Sequence, residues 1–293
     1  MQKYNQFIKR CCELHNKTTI CTINKYNCYL IHKNMGKTFE LISLCASYID
    51  TNNRLISLNH MLASIDHQTL QIKLLLSICC TEATKDDCIK QINEWTNDYK
   101  WLTVYNHDTS RMSQFEHYAF LQQYISTSTW CLFTDDDDVW HPDRALSYHL
   151  AIDQSLHTSA THDIIVCIGG RMCVDKVQIE PQEYFEFGVK GNSFKTFFGL
   201  LPKTYLSFRG CDLIFRNYLR CFPCITFSTD RPWLYKHLVD PSRYSNWSYI
   251  DEAADAWNIF ASNADVRIWH FWRKWLIDKV PIRPDFYICV LSF

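Results

Sequence analysis

The run Phe133-Thr134-Asp135-Asp136-Asp137-Asp138-Val139-Trp140 limits what this chain can become more than any other stretch. Four carboxylates follow the apolar piece Trp130-Cys131-Leu132-Phe133, which reads as a buried strand. A strand that ends in acids presents them at the carboxyl edge of a sheet, where open α/β folds bind ligands. Carboxylates about 5 Å apart repel by roughly 3 kcal/mol per pair at an effective dielectric near 20. At a strand end such a cluster calls for a cation, and oxygen ligands suit Mg²⁺ or Mn²⁺. The plainer alternative is a solvated acidic turn. The tight apolar flanks, Leu132-Phe133 before and Val139-Trp140 after, speak against it.

At 293 residues and 47% hydrophobic, the chain has material for one large α/β domain or two small ones. A net charge of −1 gives no global field toward nucleic acid or acidic lipid. Seven glycines and eight prolines argue against a repeat or linker-rich architecture. No stretch approaches the length of a transmembrane helix, and Met1 to Arg10 lacks the apolar core of a signal peptide. Fifteen cysteines without a secretory signal fit free thiols in a reducing cytosol, so a cytoplasmic location is expected. Cys221-Phe222-Pro223-Cys224 is a lone CxxC, and packing thiols are its default reading.

Residues 1–38 are polar and Asn/Lys-rich, an extension of weak structure. Phe39 to Ala46 reads as a strand, and Arg54, Leu55, Leu58, Met61, Leu62 and Ile65 recur at helical spacing. Lys73 to Cys79 is a second strand, Asp86 to Asn97 a helix, and Trp101 to Tyr105 a third strand. Ser113 to Ser126 reads as a helix ahead of the strand that carries the acids. Four strand–helix alternations imply a mainly parallel sheet flanked by helices. After Trp140 come a strand from Asp163 to Gly170, an aromatic and irregular stretch over 181–212, and a short helix from Arg231 to Val239. A final helix over 252–279 and an apolar tail after Pro284 follow. The expected organisation is an extension (1–38), a nucleotide-sugar-binding half (39–145) and an acceptor-binding half with a C-terminal helix (146–293).

Two motifs carry a resemblance. Arg54-Leu55-x-x-Leu58-x-x-x-Leu62-x-Ser64-Ile65-x-x-Gln68-Thr69 resembles the first helix of the family-2-type inverting glycosyltransferases of the GT-A fold. Phe133 to Pro142 resembles their metal motif, an Asp-x-Asp followed by Asp, an apolar residue, Trp and often Pro. Viral and plant-like members with a Ser-Gln-Phe-Glu-His helix start are similar at Ser113-Gln114-Phe115-Glu116-His117. The resemblance covers about a third of the chain. It implies a GT-A-type single α/β domain with a smaller acceptor-side region. The activity implied is transfer of a sugar from a nucleotide-diphosphate donor, a UDP-sugar, to a hydroxyl of a glycan or glycoprotein acceptor, with Mn²⁺ or Mg²⁺.

The residue chemistry fits that activity on its own. A breaking bond to diphosphate develops charge that a divalent cation offsets. Asp135 and Asp137 alternate along an extended backbone, so both face one side. Asp137 is assigned as the direct metal ligand, and Asp135 meets the ribose or the metal through water. Asp138 joins either set, while Asp136 points away and is given the smallest part. An inverting transfer needs a base for the acceptor hydroxyl. The resemblance implies an acid at the start of a helix well downstream of the metal motif, and Asp230, ahead of an expected helix start with Pro232, fits that role; its alternative is a helix N-cap, and Asp212 and then Asp251 follow as bases. The family carries an Asp after the second strand that reads the nucleotide base; this chain has Cys79-Cys80-Thr81-Glu82 there, and Glu82 is the substitute. Ala46, Ser47 and Tyr48 are the other base contacts, and Gln114 belongs to the same donor-binding set. Arg111 is a diphosphate contact or a solvated loop charge. His270 is a further metal ligand or a packed ring among Trp269, Trp272 and Trp275; with Arg273 and Lys274 these tryptophans also suit a peripheral membrane contact.

Two other classes compete. One is a GT-A module that binds glycan or nucleotide without turnover. The other is a metal-dependent phosphotransferase, since acidic strand ends serve two-metal chemistry as well. The absence of a basic stripe argues against a nucleic-acid substrate.

Overall fold

The first strand, β1 (Leu41–Ile49), is buried at nearly every position, so both faces of the sheet must be covered here. It leads into α1 (Asn52–Asp66), which buries Leu55, Leu58, Met61, Leu62 and Ile65. β2 (Lys73–Cys80), α2 (Lys85–Asp98), β3 (Leu102–His107), α3 (Gln114–Leu121) and β4 (Trp130–Thr134) complete the alternation. The computed structural model describes residues 39–108, 111–158, 165–168, 171–173, 176–178, 184–208, 211–219, 224–229, 234–237 and 288–291. The extension over 1–38 and the expected helix over 252–279 lie outside the described residues.

Beyond β4 come β5 (Val139–Trp140), α4 (Arg144–Thr158), β6 (Ile165–Ile168), β7 (Arg171–Cys173), β8 (Lys176–Gln178) and β9 (Phe187–Lys190). Then follow α5 (Gly191–Leu200), α6 (Cys211–Leu219), β10 (Cys224–Thr229), β11 (Tyr235–His237) and β12 (Ile288–Leu291). Eight strands form one sheet in the order β12-β10-β6-β9-β4-β1-β2-β3. Its pairings are parallel except at β9, which runs antiparallel to both β4 and β6. A smaller sheet has the order β5-β11-β7-β8. The mixed α/β class with a mainly parallel sheet is the one the sequence implies.

Three expectations need correction. The helix expected over 113–126 ends early: α3 stops at Leu121 and a 3-10 turn covers Gln122–Tyr124. Ser126 Oγ then meets Ser128 Oγ and Thr129 Oγ1, each at 2.9 Å, and such local side-chain bonds compete with helix. The stretch over 181–212 is not irregular. It holds β9, which fills the gap between β4 and β6, and α5. The helix expected from Arg231 to Val239 is not formed at Tyr235–His237, which is strand β11. There, pairing with Trp140 on one side and Arg171 on the other overrides local preference.

The two motifs of the resemblance touch. Trp140 N donates to Ser64 Oγ at 3.1 Å. Gln68 Nε2 donates to His141 O at 2.9 Å, and Gln68 Oε1 accepts from Ala145 N at 3.0 Å. Thr69 N donates to Pro142 O at 2.8 Å and Thr69 Oγ1 to Asp143 at 2.8 Å. The end of α1 therefore clamps the segment that follows the acids. Each such bond nets about 0.5–1.5 kcal/mol, and together they fix where the acid turn leaves the sheet.

Candidate active site

β4 lies parallel to β1 with Cys45 opposite Thr134, so both strands end at one edge. That register sets Ala46, Ser47 and Tyr48 beside the acid turn. Along the turn burial alternates: Asp135 and Asp137 are partly exposed, Asp136 and Asp138 are buried. Burial thus alternates with a period of two, although Asp136 and Asp137 sit in a turn and not on the extended backbone expected from the sequence.

Each acid has its own surroundings. Asp135 Oδ1 accepts from Gln114 Nε2 at 2.7 Å and from Tyr184 Oη at 2.8 Å. Gln114 opens α3 because Ser113 caps that helix: Ser113 Oγ accepts from Glu116 N, and Glu116 Oε2 accepts from Ser113 N. Burial, and then Asp135, push the Tyr184 phenol well above its ordinary pKa, so it stays a donor. Asp136, 5% exposed, accepts from Ser47 Oγ and Arg54 Nη1, both at 2.6 Å. It turns away from the opening, as the alternation requires, but into two donors rather than into solvent. Asp137 meets the same Arg54 Nη1 at 3.4 Å. Asp138 is fully buried and accepts from Tyr235 Oη. Burial, and then Asp138, raise the Tyr235 phenol too, and the same oxygen accepts from Asp135 N at 3.0 Å. Tyr235 thus ties the two ends of the turn together.

Arg144 supports this from beneath. Its guanidinium lies 4.0 Å from the Trp140 ring centroid and 4.4 Å from that of Tyr235. Its Nη2 donates to Phe133 O at 3.1 Å and Phe185 O at 2.6 Å. The field of the acids reaches the core: burial first, then Asp136 and its neighbours, hold the Cys45 thiol protonated.

The remaining expected residues are more scattered. Arg111, exposed, lies over the Tyr48 ring at 5.2 Å, which joins two donor-site candidates, one in the segment before α3 and one near the end of β1. Glu82 is 91% exposed and pairs with Lys85 at 3.8 Å. Asp212 sits in the first turn of α6, whose Phe215 ring is 6.0 Å from that of Tyr184. Asp230, Asp251 and His270 lie outside the described residues. Arg54, Arg144, Tyr184 and Tyr235 escaped the sequence reading as site residues. Arg54 alone has a usable signal, its place in the first turn of the helix that follows β1.

A second polar cluster lies under the ends of β2 and β3. Ser77 Oγ is 2.8 Å from both His107 Nε2 and His117 Nδ1, and Cys79 Sγ is 3.5 Å from His117 Nε2. Burial, helped by His107, pushes His117 down to about 3, so the ring is neutral at pH 7.

Among the described residues no group of three or more His, Cys, Asp and Glu side chains is placed to cage a metal. Mg²⁺ and ions like it bind through one or two carboxylates together with substrate phosphates and water. Asp135 and Asp137, both partly exposed on the turn, suit that arrangement and not a protein-only cage.

Fold and acid turn together define a mixed α/β protein of the GT-A type. No family model matches the sequence. No curated protein sequence matches it significantly. Solved structures do. The chain superimposes on S. aureus TarS with a TM-score of 0.57 at 15% identity, over 82% of this chain and 42% of that one. On TarS 1-349 in complex with UDP the TM-score is 0.56 at 14% identity, over 82% of this chain and 70% of that one. At such identities the likeness is one of fold. No helix among the described residues is long and apolar enough to cross a membrane.

Proposed function

We propose that the protein is a metal-dependent inverting glycosyltransferase that moves a sugar from a UDP-sugar to a hydroxyl of a glycan acceptor, in the cytosol. The observation that carries this is the pair Asp135 and Asp137, both partly exposed on a turn at the carboxyl edge of β4 and beside the end of β1. The similarity of fold to TarS, solved with UDP, supports a uridine nucleotide.

In this reading Asp137, with Asp135, holds Mn²⁺ or Mg²⁺, which offsets charge on the diphosphate as it leaves. Ala46, Ser47 and Tyr48 meet the nucleotide, and Arg111, stacked on Tyr48, closes over it. Gln114 and Tyr184 fix the Asp135 carboxylate, so its second oxygen keeps one orientation. The acceptor oxygen attacks the anomeric carbon from the face opposite the diphosphate, the bond to diphosphate breaks, and Asp230 takes the acceptor proton. Asp212 is the second choice of base.

The test is a panel of nucleotide sugars with Mn²⁺, read as release of nucleoside diphosphate. One UDP-sugar is expected to turn over, and excess chelator to stop it. Binding of UDP without turnover of any donor, across a range of glycan acceptors, leaves a binding module instead. On the active donor, Asp230→Asn is expected to slow transfer by roughly 10²- to 10⁴-fold with little change in stability. A near-normal Asp230→Asn beside a dead Asp212→Asn moves the base to Asp212.

A further inference from the structure

We propose that Arg54 binds the donor's diphosphate directly, and that Asp136 is the anchor that holds it for that task. The inference rests on the nucleotide-sugar reading above and adds a residue that the acid motif does not contain.

Three observations carry it. First, both oxygens of Asp136 are committed: Oδ2 to Ser47 and Oδ1 to Arg54, each at 2.6 Å. A buried carboxylate so engaged is a fixture of the protein and not a ligand for substrate. Second, Arg54 uses a single nitrogen, Nη1, for both Asp136 and Asp137. A guanidinium carries five N–H donors, and among the described residues Nη2 and Nε of Arg54 meet no acceptor. Third, the Arg54 side chain is 23% exposed, and the Asp137 carboxylate it touches is 21% exposed. Arg54 therefore reaches solvent beside a carboxylate that does the same.

The electrostatics favour the assignment. Four carboxylates repel an incoming diphosphate, so its approach needs a positive charge that the protein itself supplies. Arg54 is the cation in contact with the two central acids. Its planar fork matches phosphate oxygens, and a guanidinium already pinned on one side loses less freedom on binding. Arg111 differs, being exposed and laid on Tyr48.

A purely structural Arg54 would neutralise the acids and never touch the ligand. Titration calorimetry in excess chelator separates the two roles, with UDP, inorganic pyrophosphate and uridine as probes. Wild type is expected to bind UDP and pyrophosphate weakly without metal. Arg54→Met is expected to weaken both by about 10- to 100-fold and to leave uridine unchanged, since a hydrogen bond to a charged group is worth a factor of that size. Arg54→Lys should recover part of the loss, and Asp136→Asn should lose affinity in the same direction. If Arg54→Met does not fold, Arg54→Gln, which keeps a donor toward Asp136 but no charge, serves in its place. Equal UDP affinity in folded Met or Gln variants and wild type overturns the assignment. So does a wild type that binds UDP only with Mn²⁺, a result that leaves the proposed function standing. A wild type that binds no nucleoside diphosphate, with or without Mn²⁺, removes both.

Discussion

Asp135 and Asp137 keep part of their surface in solvent, whereas Asp136 and Asp138, each one residue further on, are buried against the protein's own donors. Four identical side chains in a row thus stand in two environments, alternating along the turn that follows β4. Burying a carboxylate costs several kcal/mol unless hydrogen bonds compensate it. Ser47 and Arg54 do so for Asp136, and Tyr235 does so for Asp138. The inward pair is therefore held by the protein's own donors, and the outward pair keeps the exposure that the proposed metal role needs.

The hardest test of this division is Asp137→Ala. Metal-dependent transfer should fall by roughly 10²- to 10³-fold, as when one electrostatic stabiliser of a transition state is removed. Stability should stay within about 0.5 kcal/mol, because the carboxylate is at the surface. A large loss of stability, read by urea denaturation, would mean that the outward face is structural too. Tyr235→Phe probes the opposite face. It strips a donor from buried Asp138 and should cost about 1.5–3 kcal/mol in the same measurement. If the variant is as stable as wild type, Asp138 is not an anchor and the two faces are alike.

The smallest effect is expected from the histidine cluster, a buried polar site away from the acids. His117 has a folded pKa of about 3, below the value near 6.5 of the unfolded chain. Above pH 6.5 both states leave it neutral and it contributes no pH dependence. Between 6.5 and 3 the unfolded chain binds a proton that the folded protein refuses. Stability should fall there by about 1.4 kcal/mol per pH unit. The difference in unfolding free energy between wild type and His117→Gln, followed from pH 7 to 5, isolates this slope from that of the carboxylates. A pH-independent difference would show that His117 protonates freely in the fold.

Much of the first half is legible in the sequence because its information is local. Leu55, Leu58, Met61, Leu62 and Ile65 repeat at helical spacing, and all are buried on one face of α1. The acid run marks the end of β4 by itself. What stayed hidden depends on distant partners. Nothing around Tyr184 or Tyr235 announces a hydroxyl bound for a particular aspartate, and β11 exists through its pairing with Trp140 and Arg171. Asp136 has the smallest part in the sequence reading because alternation gives a side chain's direction but not what waits there. Ser64, Gln68 and Thr69 matched a motif, yet their grip on the segment from Trp140 to Ala145 shows only in three dimensions.

Tyr235 follows Asp138 by 97 residues, and Tyr184 follows Asp135 by 49. During synthesis the acids therefore leave the ribosome long before either phenol exists. At about 5–20 residues per second the wait for Tyr235 is roughly 5–20 s. For that interval β1 to β4 can pair and Ser47 and Arg54 can already hold Asp136, but Asp138 still lacks its phenol donor. The centre on which the proposed chemistry depends is thus completed only once Tyr235 has emerged, well after its carboxylates are made.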